Sequence, residues 1–273
     1  MYRSAIFIGL ISLCNVSRGA VIDLLEHPEA LPANKPASIQ VLAAAAVDGI
    51  TKNVNVTLNA IEYNTATALV RYYQLNPVTL SWPALGGDTI VFQDLSSVLD
   101  PTGSFSASYT DFGAPSTFTT TFSYPAFAPT IFGPISFSGS VSGSATDGTT
   151  VPNGVGYTPT GGNPGVFRYE LFDTTAALMA TFFHDAGSAF PAGPPNSHTT
   201  GPFDNAGSPL LLGAGPNGVG TVKVTSSFTG SGGTDQYAFT GRWDVLEVPE
   251  PSSLGLLFTG LLGLMAFARP RRE

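Results

Sequence analysis

Apolar and polar residues alternate with a period of two along most of the chain from residue 50 to residue 248. Val54, Val56, Leu58 and Ala60 interleave with Asn55, Thr57 and Asn59, as one face of a half-buried strand would. Phe105, Ala107 and Tyr109 repeat the pattern. Phe118, Thr120, Phe122 and Tyr124 do so again after the Gly113-Ala114-Pro115 turn, which predicts a hairpin between the two. Ile135, Phe137 and Val141 read as a strand broken by serines. Val166–Phe172 is stronger, with Phe167, Tyr169 and Leu171 on one side, and Leu178–Phe183 is its partner or a short helix. Val219–Phe228 and Gln236–Val248 close the series, the latter with Tyr237, Phe239, Gly241 and Trp243 in phase. One helix is expected, over Ser38–Asp48. Ser38 would cap it, Ile39, Leu42, Ala43 and Ala46 would share a face, and Gly49 would end it; a strand is the alternative. Residues 20–37, with Pro28, Pro32 and Pro36, read as a lead-in, and residues 147–164 and 186–218 as long surface loops. About eight to eleven short antiparallel strands separated by Gly, Pro, Asn and Asp turns imply a β-sandwich or jelly roll in one domain.

Composition supports this reading. Gly 31 and Pro 22 make about a fifth of 273 residues, which excludes a helical bundle or coiled coil, while 19 Phe and 9 Tyr argue against disorder. The formal net charge is −8. Setting the termini aside, residues 20–248 hold 6 Lys/Arg against 17 Asp/Glu, a net of −11. Such a body repels phosphate backbones, so nucleic acid is not an expected partner. The single cysteine, Cys14, lies in the N-terminal apolar run. If that run is removed, disulfides, thiolate zinc sites and a cysteine nucleophile go with it.

Both ends of the chain carry targeting patterns. Arg3 precedes the apolar stretch Ala5–Leu13, and Ser17-Arg18-Gly19 places small residues where a signal peptidase reads them. The expected cut separates Gly19 from Ala20, making residues 1–19 a signal peptide. Leu13 directly before Cys14 is too bulky for a lipid-attachment signal. At the other end, Pro249-Glu250-Pro251 is followed by Ser252-Ser253, the uncharged run Leu254–Ala268, and Arg269-Pro270-Arg271-Arg272-Glu273. As a helix the run would span roughly 22 Å, short for a bilayer core of about 30 Å but sufficient where the bilayer thins. Arg269, Arg271 and Arg272 should stop it on the cytoplasmic side. Each proline fixes φ, and the residue before a proline avoids the helical region, so Val248–Pro251 should be extended and open to a peptidase.

This three-part tail, Pro249–Glu273, resembles the PEP-CTERM sorting signal of Gram-negative bacteria. The resemblance implies transient inner-membrane anchoring, recognition by an exosortase, a cut near Pro249-Glu250-Pro251, and a cell that often makes exopolysaccharide or biofilm matrix. It implies nothing about the fold or activity of residues 20–248.

Within that body, candidate chemistry is sparse. Gly213-Ala-Gly215-Pro-Asn-Gly218 matches GxGxxG by letter, but Pro216-Asn217-Gly218 is a turn leading into a strand, not a helix start, so it reads as a loop. His184-Asp185 could pair a base with an orienting acid, yet adjacent strand residues point to opposite faces. Asp147 and Asp204-Asn205 are loop oxygens of the type calcium uses, without a calcium-loop pattern. Trp82, Trp243 and the tyrosines could form a sugar-stacking platform, although aromatics on alternating strands are more often core. The expectation is therefore a mainly β body, residues 20–248, followed by a single transmembrane helix, residues 254–268, within a sorting tail, residues 249–273. The protein reads as an exported cell-surface or matrix protein without catalytic residues, cofactor or metal, in contact with signal peptidase, exosortase, the inner membrane and exopolysaccharide. The alternative is a secreted glycosidase-like hydrolase using two carboxylates in a cleft.

Overall fold

The computed structural model describes residues 20–99, 102–125, 131–148, 155–160, 165–184, 209–213 and 217–248, and the backbone of residues 197–204. Sixteen strands lie among them. The first eight are β1 (Val21–Asp23), β2 (Ser38–Val47), β3 (Ile50–Asn64), β4 (Leu69–Gln74), β5 (Val78–Trp82), β6 (Asp88–Leu99), β7 (Thr102–Phe112) and β8 (Thr117–Tyr124). The rest are β9 (Ile135–Thr146), β10 (Tyr157–Pro159), β11 (Phe167–Asp173), β12 (Leu178–His184), β13 (Ser197–Asp204), β14 (Leu210–Leu212), β15 (Val219–Gly230) and β16 (Asp235–Glu247). All pairings are antiparallel, in the order β12-β11-β15-β8-β2-β3-β4-β6-β7-β16-β9-β13, with β1 on β3, β5 on β6, β10 on β15 and β14 on β9.

This continuous ribbon is folded into two facing layers, as ring contacts across the core show. Phe105 of β7 meets Phe122 of β8 and Phe167 of β11, with centroids 5.3 and 5.7 Å apart. Tyr109 of β7 meets Phe228 of β15 at 5.4 Å, Phe239 of β16 meets Phe167 at 5.1 Å, and Phe137 of β9 meets Phe182 of β12 at 4.8 Å. One layer is β12-β11-β15-β8-β2 and the other β6-β7-β16-β9-β13; β3 and β4 join them. Register shifts at Ala60/Glu62 in β3 and Gln93/Ser96 in β6 provide the local twist a sheet needs to turn. Inward positions carry the aromatics, and in β9 the serines at 136, 138, 140, 142 and 144 all take the outward positions. They do not break that strand.

Three expectations are corrected. Ser38–Val47 is a strand, not a helix: Ile39, Val41, Ala43, Ala45 and Val47 are buried in alternation while Leu42 is 46% exposed. The alanine run favours helix locally, but this segment pairs with β3 on one side and β8 on the other, and those ladders override propensity. Its far end turns through Asp48 and Gly49, both at positive φ, into β3, the two-residue hairpin that an Asp-Gly pair favours. Second, β7 and β8 are not a hairpin. β7 pairs with β6 and β16, β8 with β2 and β15, and residues 113–116 arch from one layer to the other. Third, the presumed long loops contain β10, β13 and β14.

Two glycines admit the largest rings. Gly103 lies opposite Trp243 in the β7–β16 register, and a Cβ there would stand 2.1 Å from the indole. A Cβ on Gly241 would stand 2.3 Å from the Phe105 ring.

Candidate functional site

Antiparallel pairing sorts the strand ends into two groups. At one end lie the N-terminal residue of the body, Ala20, bonded to Thr65, and the end of β16, where the Val248 N–H donates to Pro134 O at 2.7 Å. Val21 faces Asn64 at the end of β3, and β4, β6 and β7 carry that end across to Trp243 and Asp244 of β16. Both expected processing points, Gly19/Ala20 and Pro249-Glu250-Pro251, thus adjoin the same end of the sandwich. Gly19, Pro249, Glu250, Pro251, the run 254–268 and Arg269, Arg271 and Arg272 lie outside the described residues. Among the described residues no helix is long and apolar enough to cross a membrane.

The opposite end holds a feature that reading the sequence missed. Asp111 of β7 faces Asp235 of β16 in register. Because Gln236 faces Thr146, the next step along the β16–β9 ladder sets Asp147 beside Asp235. All three side chains point inward and are at most 1% exposed. Asp111 Oδ1 accepts the Ser116 hydroxyl at 2.9 Å, whereas its Oδ2 has no hydrogen-bond partner among the described residues. Asp235 accepts the Gly148 N–H at 3.2 Å and the hydroxyls of Ser231 and Tyr237. Burial pushes the Asp111 carboxyl up to about 6; the Ser116 bonds oppose this, and the charges of Asp235 and Asp88 add to it. Burial raises Asp235 as well, with Asp147 adding repulsion. The signal was parity: Asp111 shares the phase of Phe105 and Tyr109, Asp235 that of Tyr237 and Trp243, and Asp147 that of Val141 and Ala145.

The other candidates separate. Trp82 and Trp243 are 2% and 0% exposed, and Tyr72, Tyr109, Tyr124, Tyr157, Tyr169 and Tyr237 are buried, so these rings are core and not a sugar platform. His184 Nε2 lies 2.9 Å from Gly139 O on the facing layer; Asp185 is outside the described residues. Asp147 is one of the buried acids, Asn205 is not described, and among the described residues no three His, Cys, Asp or Glu side chains could hold a metal ion. Around the GxGxxG letters, β14 ends at Leu212 and Gly218, at positive φ, leads into β15, as a turn before a strand requires. Asp173 is held down at about 2, chiefly by the Asn217 amide and then the Thr175 hydroxyl.

The chain is thus an antiparallel β-sandwich that delivers its final strand directly into a C-terminal tail. That tail is the PEP-CTERM protein-sorting motif, whose family model matches residues 247–272. The motif supports an exosortase-targeted exported protein, sent through the membrane to the cell surface or outside. No curated protein matches the chain. Among solved structures it is similar to that of the infectious bursal disease virus Gx strain, at 11% identity and a TM-score of 0.31, covering 86% of this chain and 71% of that one. The infectious bursal disease virus VP2 subviral particle gives 10% identity and a TM-score of 0.23, with 79% of this chain and 63% of that one covered. Likenesses this loose carry no argument.

Proposed function

We propose that residues 20–248 form a non-enzymatic surface or extracellular-matrix domain, that residues 254–268 hold it briefly in the inner membrane, and that exosortase releases it by cutting near Pro249-Glu250-Pro251. The observation that carries this is the direct junction between β16 and the sorting motif: Val248 is tied to Pro134, and the motif begins at residue 247. A peptidase approaching the prolines therefore meets a short strip beside a rigid sheet. A non-enzymatic role is favoured by the burial of the paired acids. Asp111 and Asp235 are closed off from a substrate, whereas a glycosidase needs its two carboxylates open to a sugar. Contact with exopolysaccharide, with the tryptophans unavailable, falls to the outward serine and threonine rows, such as Ser142 beside Thr240 at 2.9 Å.

Expression in an exosortase-containing host tests the reading. Glu250→Ala or Pro251→Ala leaves the apolar run intact, so the variant should insert normally and accumulate as the longer, membrane-bound form. Wild-type protein that keeps Arg271 and Arg272 at its final location would refute processing. Cosedimentation of the released body with the host's exopolysaccharide tests the matrix role, and sugar release from that polymer would establish the hydrolase instead.

A further inference from the structure

Among the described residues ten large apolar side chains are exposed, and six of them gather at the end where the tail leaves: Val21, Leu25, Phe132, Leu178, Leu211 and Leu246. Two are neighbours across one row. Leu246 of β16 and Leu211 of β14 both face Ser136 of β9, on the outward side, at 53% and 72% exposure. Phe132, 57% exposed, precedes the Gly133-Pro134 pair that holds the strand exit: a Cβ on Gly133 would meet the Glu247 carboxylate, and Pro134 O accepts from Val248. Leu178 opens β12, opposite Phe172 at the corresponding end of the other layer, and Val21 opens β1, with Leu25 two residues past its end, beside the end of β3. The buried aspartates, with Asp88, lie at the other end.

The chain beyond the body sets what can cover this end. Only residues 249–253 separate Val248 from the apolar run, and five extended residues reach at most about 17 Å. A body tethered that closely, with six of its exposed apolar side chains on the tethered end against Ile50 and Phe112 beside the buried acids on the far one, has its base at the headgroup level. We propose that this end of the sandwich docks on the lipid surface of the membrane that holds the tail, with Leu246, Leu211 and Phe132 entering the boundary between headgroups and acyl chains. The docking presents Pro249-Glu250-Pro251 at a fixed height to a membrane-embedded enzyme. The inference rests on the proposed insertion of residues 254–268.

The test uses residues 20–273 reconstituted in phosphatidylethanolamine/phosphatidylglycerol vesicles. Single cysteines at Leu246→Cys, Leu211→Cys, Ile50→Cys and Leu261→Cys carry a fluorophore quenched by brominated lipid. Both 246 and 211 are exposed positions, so neither label disturbs the core, and Ile50 marks the far end. Labels at 246, 211 and 261 should be quenched roughly threefold or more above that at 50, since interfacial apolar side chains sit about 5–10 Å into the boundary. Quenching at 261 with 246 and 211 no higher than 50 would overturn the docking and keep the inserted tail. No quenching at 261 would overturn both. Equal quenching at 50 and 246 would also overturn the proposal, because the body would then be lying on the membrane without a preferred end.

Discussion

Replacing Asp111 by asparagine should stabilise the protein at neutral pH and leave it nearly unchanged in acid. The folded carboxyl ionises at about 6 against an ordinary value of 3.8, mainly because burial removes water from the charged form. A difference of about 2 pKa units corresponds to about 3 kcal/mol. Between those two values the folded chain keeps a proton that the unfolded chain has lost. Stability therefore falls as pH rises from about 4 to about 6, and the full penalty is present above that. Asp235 is shifted in the same direction, chiefly by burial, so its contribution has the same sign. Asp173 is shifted oppositely, to about 2, so its contribution is present above about 4 and is lost only as pH drops toward 2. The two windows do not overlap, and one pH series resolves them.

Asparagine keeps an oxygen for the Ser116 hydroxyl and places an N–H₂ where Oδ2 has no donor. Urea unfolding read by tryptophan fluorescence, with both indoles buried, measures the difference between Asp111→Asn and wild type. We expect the variant to be more stable by about 2–3 kcal/mol at pH 7.5, with the gap closing toward zero by pH 4. A variant of equal or lower stability at pH 7.5, or a gap that does not depend on pH, would show that Asp111 is not held up by burial.

Ser116→Ala should cost about 1–3 kcal/mol at pH 7.5 in the wild type, by stripping the donor from a buried carboxylate, and clearly less in the Asp111→Asn background. Equal costs in the two backgrounds would show that the bond does not serve the charge. Gly103→Val should destabilise by about 3 kcal/mol and red-shift the Trp243 emission, because the new Cβ would stand 2.1 Å from the indole. Unchanged emission would place the ring elsewhere. N-terminal sequencing of the exported protein should begin at Ala20, and intact Met1 on extracellular material would contradict removal of residues 1–19.

Much of the sheet was legible because period-two alternation reports which face is buried. Phe167, Tyr169 and Leu171, and Tyr237, Phe239 and Trp243, are inward as their spacing demands. The partner of each strand was not legible. Phe105 and Tyr109 on one strand and Phe118 and Phe122 on the next satisfy a hairpin and an arch equally well, since either arrangement buries the same residues. What selects the arch lies outside the pair: β16 and β6 hold the two edges of β7, leaving none for β8. The helix expectation over Ser38–Asp48 failed for the same non-local reason. The sorting tail, by contrast, is read along the chain itself, and its pattern was recognisable from residues 249–273 alone.

The arch gives the buried acids a structural role. Gly113 O accepts from Gly233 N–H, Asp111 O accepts from Thr234 N–H, and the Ser116 hydroxyl reaches back to Asp111 Oδ1. The carboxylate thus bonds the departing strand to the arriving one across a turn that has no ladder of its own, while β16 locks the same residue from the side. A hairpin would satisfy these groups by strand pairing; an arch must use side chains. Asp111 at an inward position is then a device for specifying the crossover, and the cost of its desolvation falls on a fold whose aromatic core is otherwise continuous. The same logic separates the two ends of the molecule. The arch end is tied by buried polar bonds, with Ile50 and Phe112 exposed among the described residues there, while the exit end leaves Leu246, Leu211 and Phe132 exposed beside the sorting motif.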